Sequence, residues 1–174
     1  MLKKVPRIYA FIDSQNLNLG TSDDIYRDRK LIYEGWKLDL KKFRKYLDIK
    51  FHVEKAYLFL GYIPAYENMY KLFKRYGYEI IFKPTVKDNK GKPKGNVDAE
   101  IVLYSAAILY NKYDRAVFIS GDGDFYCLYE YMEQKNKLGT ILIPNKFSKS
   151  KFLNRFNKYC KYIYRDKDIL KKRK

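Results

Sequence analysis

Acidic side chains follow two separate apolar segments of this sequence. Asp13 ends the segment RIYAFID, and Asp122 and Asp124, separated by one glycine, follow the segment RAVFIS. Asp98 and Glu100 begin a third, helix-like segment after a lysine-rich loop. Carboxylates brought close together repel one another at neutral pH unless a cation or protons lie between them. Oxygen ligands without a nearby Cys or His cluster favour Mg²⁺ or Mn²⁺ over Zn²⁺, so these acids predict a divalent metal site.

Each of these acids also has a purely structural interpretation. Asp13 in DSQN could form an Asx turn, and the GDGD acids could be a turn residue and a helix N-cap. Asn96 is a typical N-cap residue, and would place Asp98 and Glu100 in a first helical turn, where the helix dipole stabilises acids. On a regular helix these two acids point about 200° apart. Both can therefore serve one site only if Asp98 lies at an irregular helix start.

Strands and helices are predicted to alternate along the chain. Apolar runs of strand length alternate with segments whose apolar residues recur at helical spacing. The predicted strands are RIYAFID, HVEKAYLFLGY, YEIIFKP, RAVFIS and GTILIP, and the predicted helices are WKLDLKKFRKYL, PAYENMYKLFKRYG, VDAEIVLYSAAILYNKY and DFYCLYEYMEQKNK. The stretch DDIYRDRKLIYEG has no assignment. This alternation predicts an α/β three-layer sandwich with a mainly parallel central sheet.

The carboxyl ends of the strands form the ligand-binding edge of such folds, because the crossover connections leave a crevice there. Asp13 lies at this predicted edge after the first strand, and the GDGD acids lie there after the fourth. Asp98 opens the helix that follows the basic loop. The convergence of three separate acidic groups on one edge favours the metal-site interpretation over a set of unrelated caps.

The length and composition are those of one globular domain. The 174 residues suffice for one sheet-plus-helix core, and a content of 47% hydrophobic and 18% aromatic residues excludes a disordered polycation. We predict a domain over residues 1–145 and a basic C-terminal extension over 146–174 that packs on it or trails from it. No long apolar run or signal-peptide cleavage site is present, so we expect a cytoplasmic protein without a membrane partner. Cys127 and Cys160 have neither zinc-site nor disulfide spacing.

The formal net charge of +17 is concentrated in two segments. These are KPTVKDNKGKPK and the C-terminal KFSKSKFLNRFNKYCKYIYRDKDILKKRK. Solvated lysines that keep a small protein soluble are the alternative explanation for the charge, but they do not explain its clustering. Clustered lysines suit a polyphosphate because each neutralised phosphate releases counterions. We predict a nucleic-acid partner whose backbone is contacted by Lys87, Lys90, Lys92 and Lys94.

Three motifs in this order resemble a known family. FIDSQNL, KGNVDAEIVL and FISGDGDFYCL, separated by strands and helices, resemble the NYN domains of the PIN-like nuclease superfamily, and the LabA-like group in particular. The S-G-D-x-D-F stretch is the most specific of the three. The resemblance covers most of the chain and implies a PIN-like α/β sandwich, an acidic pocket that binds Mg²⁺ or Mn²⁺, and ribonuclease activity on RNA.

The resemblance also assigns roles by position. The residues that match the family's catalytic and metal-binding acids are Asp13, Asp98, Asp122 and Asp124. Asn16 matches the polar residue after the first acid, and Ser120 matches the hydroxyl before the glycine. Many members carry a further Asp where this chain has Tyr104, and Glu100 is the acid that would substitute for it. Asn16, Ser120 and Glu100 are therefore predicted to support the site.

The resulting prediction is a metal-dependent ribonuclease hydrolase. His52 is the only histidine, which excludes a nuclease that uses paired histidines as acid and base. Single-stranded RNA is the favoured substrate, because some of the many tyrosines could stack on unpaired bases. A homodimer is left open. One alternative is an RNA-binding module of the same fold that does not cut. A second is a phosphatase or phosphotransferase with Asp13 as nucleophile, although DSQNL lacks the second acid such enzymes usually offer.

Overall fold

The computed structural model describes residues 5–84, 86–87, 93–94 and 96–173. The strands are β1 (Ile8–Asp13), β2 (Ile25–Arg27), β3 (Lys30–Tyr33), β4 (Val53–Gly61), β5 (Tyr78–Lys83), β6 (Val86–Lys87), β7 (Pro93–Lys94), β8 (Arg115–Ile119), β9 (Leu138–Ile143) and β10 (Cys160–Tyr162). Within the described residues, six of them form a central sheet in the order β10-β9-β8-β1-β4-β5. All pairings in this sheet are parallel, which confirms the predicted α/β architecture.

Helices cover both faces of this sheet. They are α1 (Ser14–Ser22), α2 (Leu40–Phe51), α3 (Glu67–Arg75), α4 (Asp98–Leu103), α5 (Tyr126–Gln134) and α6 (Lys167–Leu170). Side chains of β1 alternate between the faces: Tyr9 and Phe11 pack with the core of α4 and α5, whereas Ala10 and Ile12 pack with that of α2 and α3. Burial on both faces explains why β1 is a continuous apolar run.

Two elements near the start of the chain differ from the sequence-based expectation. The unassigned stretch DDIYRDRKLIYEG forms the antiparallel hairpin β2-β3, whose turn places Asp28 and Arg29 in the left-handed region. Helix α1 directly follows β1, where only a turn or loop was expected. Its sequence SQNLNLGTS is rich in residues that form helices poorly, so tertiary contacts rather than propensity stabilise it. Asn145 Nδ2, for example, donates to the Gly20 carbonyl of α1.

The segment predicted as one helix from Val97 to Tyr113 is interrupted. After α4 the chain forms a π-turn at Tyr104–Ile108 and a short 3₁₀ turn at Tyr110–Lys112. The Ser105 hydroxyl donates to the Ile101 carbonyl at 2.6 Å, and the buried Tyr113 hydroxyl donates to the Ser105 carbonyl at 2.7 Å. Such side-chain hydrogen bonds compete with the regular ladder and shift its register.

The basic C-terminal segment contributes to the same sheet. Strand β10 pairs in parallel with β9 through Cys160 and Ile141, and Leu153 and Phe156 are fully buried. Asn145, at the predicted domain boundary, is itself fully buried. In the part of the chain that the structure describes, no helix has the length and apolarity needed to span a membrane.

Candidate metal centre at the carboxyl edge of the sheet

Asp13 combines a capping role with a place at the predicted site. As the last residue of β1 it caps α1, since the Asn16 backbone N–H donates to Asp13 Oδ1 at 3.0 Å. The residue is only 6% exposed. Burial, with smaller contributions from the negative charges of Asp98 and Asp122, raises the pKa of its carboxyl to about 6. Asp13 therefore caps α1, and it is not one of the three carboxylates that the structure brings together. Its role as a metal-binding and catalytic acid stays a prediction.

The turn Gly121–Asp124 is fixed by a hydrogen bond with a distant part of the chain and by two local ones. The Gly121 N–H donates to Asn16 Oδ1 at 2.9 Å, and the Asp122 N–H donates to Ser120 Oγ at 3.1 Å. Asp122 Oδ1 in turn accepts from the Asp124 N–H at 3.0 Å, which caps the short helical turn before α5. Asn16 and Ser120 thus hold the backbone that carries two of the predicted acids.

Asp98 lies at the first residue of α4, with Val97 as its N-cap. Asn96 holds it from both sides: Asn96 Oδ1 accepts from the Asp98 N–H, and Asn96 Nδ2 donates to Asp98 Oδ2, both at 2.7 Å. Burial raises the pKa of Asp98, and the charges of Asp122 and Asp124 add to that rise. Asp98 therefore lies at the start of α4 and is held there by Asn96.

Three carboxylates converge at this edge of the sheet. Among the described residues, Asp98, Asp122 and Asp124 each offer an oxygen, and these oxygens all lie within 4.8 Å of one another. No ion pair between described residues involves any of the three. A set of three close oxygen donors without a bound lysine or arginine fits a divalent cation such as Mg²⁺ or Mn²⁺. Asp124 is exposed, so the cluster opens to solvent.

Comparison with known proteins agrees with this geometry. The sequence profile of the NYN domain matches residues 7–164, which is nearly the whole chain. The chain belongs to the NYN domain family. This family is part of the PIN-like nuclease superfamily. No curated protein is significantly similar to the chain in sequence.

A solved structure shares the fold of this NYN domain. It is the crystal structure of a protein of unknown function from Vibrio parahaemolyticus RIMD 2210633, with a TM-score of 0.72 and 22% sequence identity. The similarity covers 99% of each chain. At this identity the comparison shows the common fold and nothing about activity.

Two residues beside the cluster of this NYN domain have other partners. Glu100 forms an ion pair with Lys83 at 3.1 Å, and it is not part of the three-carboxylate group. Tyr104 lies in the π-turn, and its ring packs edge-on against Phe59 with 5.6 Å between the ring centroids. Glu100 as a supporting acid stays a prediction.

Sequence reasoning missed a buried hydroxyl close to these acids. Tyr129 is fully buried, and its hydroxyl is the buried side-chain polar atom left without a hydrogen-bond partner among the described residues. Burial raises its pKa well above the usual value, and the carboxylates of Asp13, Asp122 and Asp98 raise it further. The hydroxyl is therefore neutral and lies within electrostatic reach of the acids. In the sequence Tyr129 lies four residues after Phe125, and this spacing does not distinguish it from an ordinary core residue of a helix.

The side chains of the four lysines predicted to contact nucleic acid lie outside the part of the chain that the structure describes. Lys90 and Lys92 lie outside the described residues, and only the backbone pairing of Lys87 and Lys94, in the β6-β7 hairpin, is described. A cavity of about 980 Å³ lies on the other face of the sheet, between α1, α2 and α3. Ser14 and Gln15, which follow Asp13, line it, but the three clustered acids do not.

The raised pKa of Asp13 predicts a pH-dependent stability in EDTA. The folded protein keeps the Asp13 proton up to about pH 6, whereas the unfolded chain releases it near 3.8, so stability falls as the pH rises between these values. We expect wild type to lose about 1.4 kcal/mol of unfolding free energy between about pH 5 and about pH 7.5 that Asp13→Asn does not lose. Urea denaturation of both proteins at the two pH values measures this difference in unfolding free energy.

Asn at this position keeps the helix cap, so the comparison isolates the titration. Equal pH dependence in the two proteins would show that Asp13 titrates as an ordinary exposed carboxyl.

Proposed function

We propose that this NYN domain is a metal-dependent ribonuclease that hydrolyses phosphodiester bonds of RNA, with Mg²⁺ or Mn²⁺ as cofactor. The observation that carries the proposal is the convergence of Asp98, Asp122 and Asp124 within 4.8 Å at the carboxyl edge of the sheet. Membership of a family in the PIN-like nuclease superfamily supports it. Acid clusters at this edge of an α/β sheet are in the position where such folds bind ligands.

The residues of the site divide into ligands and residues that hold the ligands. Asp98, Asp122 and Asp124 would bind the cation, and Asp13, electrostatically coupled to two of them, would be the fourth acid. Asn16 and Ser120 hold the turn through their hydrogen bonds to its backbone. When bound, a divalent cation supplies positive charge for the reacting phosphate and makes a water molecule a stronger nucleophile.

The charge of the rest of the chain supports a polyanionic substrate. The formal net charge of the chain is +17, so it has many lysines and arginines that could contact the phosphates on either side of the cleaved bond. We place Lys87, Lys90, Lys92 and Lys94 among these contacts. A single strand is the favoured form of the RNA.

One observation favours a second candidate, an RNA-binding module that does not cut. Where many relatives have an additional acid, this chain has Tyr104, whose ring packs against Phe59, and nearby Glu100 is paired with Lys83. A site with one acid fewer would bind the cation less strongly, while the basic residues that contact RNA would be unchanged. Binding without hydrolysis is the expected behaviour in that case.

Incubation with labelled single- and double-stranded RNA and DNA separates the two candidates. We expect single-stranded RNA to be cleaved with Mn²⁺ or Mg²⁺, and not in EDTA, because the acids without a cation only repel the phosphate. RNA binding without cleavage at any metal concentration would establish the binding module instead. Cleavage that persists in EDTA would contradict a metal-dependent mechanism.

A further inference from the structure

Phe152 is an unusually placed aromatic side chain. It is 71% exposed, and it is the second residue of the irregular helical segment Lys151–Tyr159. Its ring lies against Gly123, since a Cβ placed on Gly123 would be only 2.9 Å from Phe152 Cδ2. Gly123 separates Asp122 from Asp124, two of the three clustered acids. Single exposed apolar side chains are common, but this one borders the candidate site.

The backbone that carries Phe152 is anchored to the acidic turn. The Ser150 N–H donates to the Gly121 carbonyl at 2.9 Å, and Ser150 Oγ accepts from the Phe152 N–H at 3.3 Å. Immediately after Phe152, Leu153 is fully buried in the core of the α5 face. The ring is therefore presented to solvent from a fixed position relative to the acids. Gly123 permits this close approach, because a Cβ there would clash with Ser150 Oγ as well as with the ring.

Cationic side chains flank the ring in the same segment. Lys151 is exposed and directly precedes Phe152. Lys149 Nζ donates hydrogen bonds to the side-chain oxygens of Asn154 and Asn157. Among the described residues, neither lysine forms an ion pair with a carboxylate, so both charges remain available to an anion. An exposed ring beside cations that no carboxylate neutralises is the combination that proteins use to bind single-stranded nucleic acid, by stacking on bases and neutralising phosphates.

We propose that Phe152 is a stacking platform for one unpaired nucleobase of an RNA strand whose backbone passes over the acid cluster, with Lys149 and Lys151 on the adjoining phosphates. The identity of the strand rests on the proposed function, whereas the location of the platform rests on the geometry of Phe152. In an RNA duplex the base faces are covered by neighbouring base pairs. The platform therefore discriminates in favour of single-stranded RNA.

Binding measured in EDTA tests the platform independently of cleavage. We expect Phe152→Ala to weaken the affinity for a short labelled single-stranded RNA about tenfold, with duplex RNA affected less than about twofold. Phe152→Trp should retain the affinity, and its additional fluorescence should be quenched by the RNA. Trp36, the only tryptophan of the wild type, is buried, so wild type provides the baseline.

Ile49→Ala is the matched control. Ile49 is 64% exposed on α2, just before the amino end of β4, and thus at the edge of the sheet opposite the acids. We expect its RNA affinity to equal that of wild type. Thermal unfolding checks that each variant is folded. Removal of an exposed ring should change the melting temperature little.

The outcomes separate this inference from the proposed function. If Phe152→Ala binds single-stranded RNA as wild type does, or loses duplex affinity equally, the platform is wrong and the nuclease proposal is untouched. If wild type fails to cleave with Mn²⁺ but its binding depends on Phe152, the nuclease proposal is wrong and the platform stands. Wild type that neither binds nor cleaves single-stranded RNA when Mn²⁺ is present would overturn both.

Discussion

Replacement of Asp122 by Asn is expected to reduce metal-dependent RNA cleavage at least 100-fold, about 2.7 kcal/mol of transition-state stabilisation. The change removes one negative charge from a group of three carboxylates that lie within 4.8 Å of one another. The Asn side-chain oxygen can still accept the hydrogen bond from the Asp124 N–H, so the turn should keep its shape. Single-turnover cleavage of labelled single-stranded RNA in Mn²⁺ measures the effect.

The matched control is Asp168→Asn. The Asp168 side chain is 89% exposed and pairs with Lys171 on α6, outside the acid cluster. We expect this variant to cleave RNA at the wild-type rate. Mn²⁺ should also raise the melting temperature of wild type and of Asp168→Asn but not of Asp122→Asn, because a ligand that binds only the folded state stabilises it. An Asp122→Asn variant that cuts at the wild-type rate would remove this cluster from the mechanism.

Gly121→Ala should be the most damaging small substitution in the candidate site. A Cβ on Gly121 would lie 3.0 Å from the Ser148 carbonyl carbon, closer still to its oxygen, and 3.1 Å from Ile143 Cγ2. Backbone atoms cannot swing away as a flexible side chain can, so the loop after β9 must move. Overpacking of this kind costs typically about 1–3 kcal/mol, and we expect a loss at the upper end of that range. Urea denaturation measures the loss.

Displacement of that loop also disturbs the site itself. The Gly121 carbonyl accepts a hydrogen bond from Ser150, and the Gly121 N–H donates one to Asn16. The turn that carries Asp122 and Asp124 should therefore shift, so we expect the cleavage rate to fall together with the stability. Gly77→Ala provides the comparison: its φ of 91° disfavours other residues, yet the nearest atom to a new Cβ is 3.6 Å away on Arg44. We expect Gly77→Ala to lower the free energy of unfolding by about 1 kcal/mol. If Gly77→Ala were the more destabilising of the two, close packing around Gly121 would not be the controlling factor.

The main strands of the sheet and the chemistry of the acids were predictable from local sequence. Between their charged or polar end residues, RIYAFID and RAVFIS are apolar, because the central strands of a parallel sheet are buried on both faces. Parallel pairing brings their carboxyl ends to one edge, and this places Asp13 and the GDGD acids there without any knowledge of side-chain positions. The family was likewise predictable, because its motifs lie in these same segments.

The tertiary structure alone decided which acids form one group and what surrounds them. Asp98, Asp122 and Asp124 share the cluster, whereas Glu100 pairs with Lys83 on β5. The hydrogen bond from Gly121 to Asn16 spans 105 residues of sequence, and the approach of Phe152 to Gly123 depends on the path of the chain after β9. No local pattern encodes such contacts, because side chains from distant segments meet only after the sheet has assembled. Helix α1 was missed for the same reason: its stability comes from contacts such as the one between Asn145 and Gly20, not from its own propensity.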